Sequence, residues 1–168
     1  EDSVAAYRVL TMDWLDLPAR DVAAISNYAK KYGVSIFEAG EILGGKKRSD
    51  LSSTNPINAR PFVTDATEEK VKKFVIMVHR HLGLIKKETA GRILYYFLEE
   101  TGLLKQLTTY KTAKEEKVAQ NLAKFFNKLK TYEADHEDAG VFAVVDWIDL
   151  SMTLGESPLA ADTDWTEN

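Results

Sequence analysis

Apolar residues recur along this chain at helical spacing almost from end to end. Val4, Tyr7, Val9 and Leu10 mark a first helix over residues 3–12. Pro18 suits a helix start, where its missing N–H has no intrahelical partner to lose, and Val22, Ile25, Tyr28 and Ala29 then share one face. Gly33 ends that helix, and Ser35 with Glu38 forms a Ser-x-x-Glu start for a short one. The clearest pattern follows Asp65 and Glu68: Val71, Phe74, Val75, Val78 and Leu82 fall on a narrow stripe, with Lys73 and Arg80 opposite. A helix over 88–101 ends at Gly102, and "LLKQL" adds a turn or two. Thr112 and Glu115 open a long helix, and "GVFAVVDWIDLSMTL" closes the pattern near Gly155. No strand is expected.

Two stretches break the periodicity. Residues 44–63 carry Gly44, Gly45, Pro56 and Pro61 and read as a long surface loop. Residues 157–168 read as an extended tail. The expectation is an all-α domain of about seven helices spanning 1–168, a length that can bury a real core.

Charge changes this picture. The net charge is −4, yet no Lys or Arg follows Lys130. Residues 1–130 hold 22 basic against 16 acidic residues, and residues 131–168 hold 10 acidic ones. Such a split suits one face toward an anionic partner and another that avoids it, or a solubilising acidic end. The chain has no cysteine, which excludes thiol chemistry and Cys-based zinc sites and fits a reducing cytoplasm. No apolar run reaches the roughly 18 residues of a membrane span. The start "EDSVAAYRVL" lacks both a signal-peptide pattern and an initiator Met, and a fragment of a larger protein is expected.

Candidate chemistry is sparse. No phosphate-binding Gly-rich loop, nucleophile elbow or His-Glu-x-x-His motif occurs. His79 and His81 lie about 200° apart around a helix and cannot grip one metal. Asp162 and Asp164 read as solvated charge, and "DHEDAG" at 135–140 as a turn between helices. No catalytic residue, cofactor or metal ligand is expected in this chain. Tyr95, Tyr96 and Phe97 are consecutive helix positions, so at least two are expected to pack inward. The basic residues are more suggestive. Lys46, Lys47 and Arg48 sit in the Gly-flanked loop with Arg60 further along, placed to reach phosphates and release counterions.

The order of segments carries a resemblance. "DSVAAYRVL", "LPARDVAAISNYAKKYGVSIFEAG", "LYYFLEETGLLKQL", "EEKVAQNLAKFFNKLKTYE" and "FAVVDWIDL" together resemble the 2B subdomain of superfamily 1A DNA helicases of the UvrD/Rep/PcrA type. "LEETGLLKQL" is similar to that family's Glu-Glu-Thr-Gly-Tyr-Leu-x-x-Leu pattern. The resemblance implies an all-helical insertion that swivels on a hinge, touches duplex DNA or a duplex/single-strand junction, and modulates unwinding in repair or recombination. It also implies a parent that is an ATP- and magnesium-dependent 3′-to-5′ translocase in the cytoplasm at the nucleoid. That parent's motor domains, and a possible regulatory protein, would be partners.

One departure bears on DNA contact. Many relatives carry a Pro-x-Arg-Gly-Ile-Gly turn that holds a phosphate, whereas here Pro18 and Arg20 are followed by Asp21 and Val22. Asp21 would repel phosphate, or serve as a favourable charge in a helix's first turn. The resemblance then leaves the backbone contact to Arg20, Lys46, Lys47, Arg48, Arg60, Lys73 and Arg80. The alternative is a protein-interaction or autoinhibitory module without direct DNA binding.

Overall fold

A computed structural model describes residues 3–45 and 60–155. Eight α-helices form among them: α1 Ser3–Leu10, α2 Ala19–Tyr32, α3 Ile36–Leu43, α4 Asp65–Leu82, α5 Ala90–Glu100, α6 Leu103–Thr108, α7 Ala113–Asp135 and α8 Val141–Thr153. No strand occurs among the described residues. The fold is all-α, and the eighth helix is α6, the turn or two expected at "LLKQL". Lys46, Lys47 and Arg48 lie outside the described residues, as does the tail at 157–168 with Asp162 and Asp164.

The local signals place the helix ends. Gly33 takes φ 62°, and its N–H donates to the Ala29 carbonyl. Gly102 takes φ 74° between the α5 cap Thr101 and the start of α6. An L-residue with a side chain is strained in that left-handed region. Ser35 and Glu38 form a reciprocal capping box on α3, and Thr112 and Glu115 form another on α7. Backbone N–H donors of Lys111 and Thr112 hold the Glu115 carboxyl below its ordinary range. The start of α4 differs from the Asp65–Glu68 reading. Thr64 accepts from the Thr67 backbone N–H, and Glu68 is drawn instead to Arg60. Asp65 occupies the first turn, where its charge still favours the helix N-terminus.

The chain divides into two compact units, Glu1–Arg80 and His81–Asn168, with the boundary in the last turn of α4. In the first, α1, α2 and α3 pack together. Its core comprises Leu10, Leu15, Val22, Ile25, Tyr28, Ile42 and Leu43, closed by Val71, Phe74 and Val75 from α4. Trp14 and Phe37 each meet the Phe74 ring edge-on, with centroids 6.2 and 6.3 Å away. Gly40 lets α4 approach closely: a Cβ there would lie 3.3 Å from Val71 Cγ1 and 3.4 Å from Val75 Cγ2. Leu82, expected on the buried stripe, is exposed, whereas Met77 and His81 are buried. An apolar stripe is buried only where a neighbour covers it, and in the last turn of α4 the covered side is that of Met77 and His81.

In the second unit α5, α6 and α7 pack consecutively and α8 lies on α5. Leu129, Tyr132, Ala139 and Val144 form the core, with Leu94, Phe125, Trp147 and Ile148 against it. Residues 136–140 make the turn between α7 and α8. There His136 stacks on Tyr132 at 4.0 Å, and Asp138 Oδ1 accepts from the Gly140 N–H. Tyr96 and Phe97 are half-buried and Tyr95 is exposed, while Leu98 is the buried residue of that run.

Candidate nucleic-acid interface

The junction between α2 and α4 is built around Asp21. Its carboxylate is turned inward and has no exposed surface. Oδ2 accepts from the Thr67 hydroxyl at 2.7 Å, the Thr64 hydroxyl at 2.7 Å and the Thr64 backbone N–H at 3.1 Å. Oδ1 accepts from Nε and a terminal nitrogen of Arg20, each at 3.2 Å. The hydroxyl donors of Thr67 and Thr64, followed by the Thr64 N–H and Arg20, hold the Asp21 carboxyl far below the usual carboxylate range despite burial. Asp21 is therefore the favourable charge of a helix's first turn and also a lock between two helix starts. It has no exposed surface to offer a phosphate, because Oδ2 is directed to the start of α4 and Oδ1 is capped by the Arg20 guanidinium.

The remaining basic candidates divide by environment. Arg20 covers Asp21 with its side chain 72% exposed. Arg60 donates to the Leu43 carbonyl at 2.9 Å and to Glu68 at 2.7 Å, clamping the end of α3 to the first turn of α4. Arg20 and Arg60 are thus both tethered to that first turn, one through Asp21 and one through Glu68. Lys73 is 80% exposed and lies 3.9 Å from Glu69. Arg80 is exposed two turns further on, on the same face as Lys73 because seven residues fall about 20° short of two full turns. At 1.5 Å per residue, Arg80 stands roughly 20 Å along the axis from Thr67, so one short phosphate contact does not span the set.

Two lysines of α4 escaped the sequence reading. Lys70 donates to the Asp16 carbonyl at 2.7 Å and approaches its carboxylate at 3.2 Å. Asp16 has φ 46°, a conformation that Asp tolerates better than most residues. Lys72 is exposed beside Lys73 and lines a cleft of about 250 Å³ with Glu41, Gly44, Val75, Ile76 and His79. The signal for Lys72 was its seven-residue spacing from His79, which places both on one face of α4.

In that cleft His79 Nε2 lies 2.6 Å from Oε1 of Glu41, a carboxylate only 5% exposed. With the carboxylate ionised, the imidazole N–H donates, which orients the ring and joins α3 to α4. An imidazole held this way can move a proton, but among the described residues no hydroxyl stands in the lining for it to activate. His81 is buried elsewhere, its Nε2 3.3 Å from Glu100 Oε2 without hydrogen-bonding geometry. The two histidines do diverge. Among the described residues no group of three or more His, Asp or Glu side chains could hold a metal ion, and no helix is long and apolar enough to cross a membrane.

No protein-family model, curated protein or solved structure matches the chain.

Proposed function

We propose that this chain is an accessory helical domain that binds the backbone of duplex DNA, in the manner of the 2B subdomain of a superfamily 1A helicase, and modulates unwinding as a lever. The observation that carries the reading is the outward face of α4. Lys72, Lys73 and Arg80 stand exposed there, Arg20 is exposed at the start of α2, and the Asp21 charge is withdrawn into the fold. Cations spaced roughly 10–12 Å along one helix suit phosphates a few nucleotides apart on a strand or facing each other across a groove, with no base readout. Lys46, Lys47 and Arg48 follow directly on Gly45 and add to the same basic half of the chain. Arg60 supports this surface indirectly by clamping α3 to α4. ATP and magnesium would be bound by motor domains outside this chain, and the working location would be the cytoplasmic nucleoid. A second reading, a protein-interaction module, rests on a different surface, the outer side of α8.

The test is a titration against a fluorescent duplex with a single-stranded tail at two salt concentrations. A Lys73→Ala/Arg80→Ala variant and a Lys46→Ala/Lys47→Ala/Arg48→Ala variant are run beside the wild type. The expected outcome is binding that weakens steeply with salt, with a shallower log–log slope in each variant, by roughly one per lost phosphate contact. Absence of wild-type binding at low salt, or slopes unchanged in both variants, overturns the proposal.

A further inference from the structure

Helix α8 is apolar except for Asp146, Asp149, Ser151 and Thr153. Val144, Trp147, Ile148 and Ser151 face its own unit and account for its packing. A surface helix of this kind ordinarily carries polar residues on its other side, and one that is apolar all round is ordinarily enclosed. Here the outward side presents Phe142, 72% exposed, with Val145, Leu150 and Met152, beside Asp146 and Asp149. At 100° per residue Phe142, Val145 and Met152 lie within about 80° of one another, a seam running most of the roughly 20 Å length of the helix. Phe142, Val145 and Met152, exposed together along one side of a short helix, mark an interaction surface.

The charge around this seam selects the partner. Asp146 and Asp149 are the only charged residues of α8, and both are exposed. Glu137 and Asp138 are exposed in the turn that leads into it. No Lys or Arg occurs in the sequence after Lys130. A second copy placed symmetrically on this seam would set Asp146 and Asp149 against their own equivalents, which like-charge repulsion disfavours. An anionic membrane surface is disfavoured by the same charges. We infer that the outer face of α8 docks an amphipathic helix of a partner protein that carries apolar anchors at i, i+4 and i+7 flanked by Lys or Arg. The apolar anchors would cover the Phe142–Val145–Met152 seam, and the flanking cations would meet Asp146 and Asp149. This interface is separate from the DNA-binding reading and holds whether or not α4 binds phosphate.

The experiment uses the full 168-residue chain and two fluorescein-labelled synthetic peptides. Both are 18-residue amphipathic helices with the same leucine seam, one flanked by lysines and one by glutamates. Anisotropy is read without DNA. The lysine peptide is expected to bind at least tenfold more tightly than the glutamate peptide. Asp146→Lys/Asp149→Lys is expected to reverse that preference. Phe142→Ser/Met152→Ser leaves every charge in place and is expected to weaken the lysine peptide at least tenfold. Circular dichroism checks that these exposed substitutions keep the helical content. Equal binding of the two peptides, no binding, a wild-type dimer that Val145→Arg dissolves, or insensitivity to Phe142→Ser/Met152→Ser each overturns the inference. The last of these would reduce the contact to charge attraction alone.

Discussion

Replacing Asp21 with Ala removes the acceptor on which the starts of α2 and α4 converge. Oδ2 takes three donors and Oδ1 takes Arg20, and the Thr67 hydroxyl that donates to it is itself buried. A hydrogen bond to a charged group contributes about 1.5–3 kcal/mol, and a buried donor left without a partner costs about 1–3 kcal/mol. The contributions do not sum, because Thr64 is exposed and recovers water for its hydroxyl. The carboxylate also lies shallow beneath an exposed Arg20, so water beyond that layer still screens it. Asp21→Ala is therefore expected to destabilise the first unit by about 3 kcal/mol, and Asp21→Asn, which keeps one acceptor but not the charge, by about half as much. Urea unfolding read by Trp14, which packs on Phe74, follows this unit in a chain whose other tryptophans are replaced by Phe.

The pH dependence separates a charge lock from simple packing. The folded carboxyl titrates well below its unfolded value because Thr67, Thr64 and Arg20 donate to the ionised form. Its contribution is complete above the unfolded pKa of about 3.9 and is lost progressively as pH falls from there toward the folded value. The stability gap between wild type and Asp21→Asn should accordingly be constant from pH 7 to 5 and shrink below pH 4. A loss under about 1 kcal/mol for Asp21→Ala, or a gap that persists unchanged at pH 3, refutes the lock.

Two further outcomes follow from the fold. Arg60→Ala should lose about 1–2 kcal/mol of stability by urea unfolding, because the Leu43 carbonyl and Glu68 both accept from one terminal nitrogen of Arg60. Gly33→Ala should cost about 1 kcal/mol in the same assay, since φ 62° is strained for alanine even though nothing lies near the added Cβ.

Helix existence was legible over residues 3–45 and 60–155 because it depends on local periodicity and caps. Ser35–Glu38, Thr112–Glu115, Gly33 and Gly102 act within one turn of themselves and need no tertiary partner to be read. The basic candidates were legible as charges but not as neighbours. Arg60 reads as one more cation in a loop, yet its position is set by a carbonyl 17 residues upstream. Likewise Glu41 and His79 stand 38 residues apart and meet where α3 packs on α4, so closely that a Cβ at Gly40 would lie 3.3 Å from Val71.

The sequence by itself determined the all-helical class, most helix boundaries and the segregation of charge, since each is a property of short range or of composition. Only the tertiary structure decided which charges face water. Asp21 reads in sequence as a surface acid, but two helix starts converge on it and supply the donors that make burying its charge tolerable. For the outer side of α8, the sequence does not say whether it is covered. It is exposed because its neighbours cover the Val144–Trp147–Ile148 side alone, and which side of an apolar helix is covered depends on elements distant in the chain.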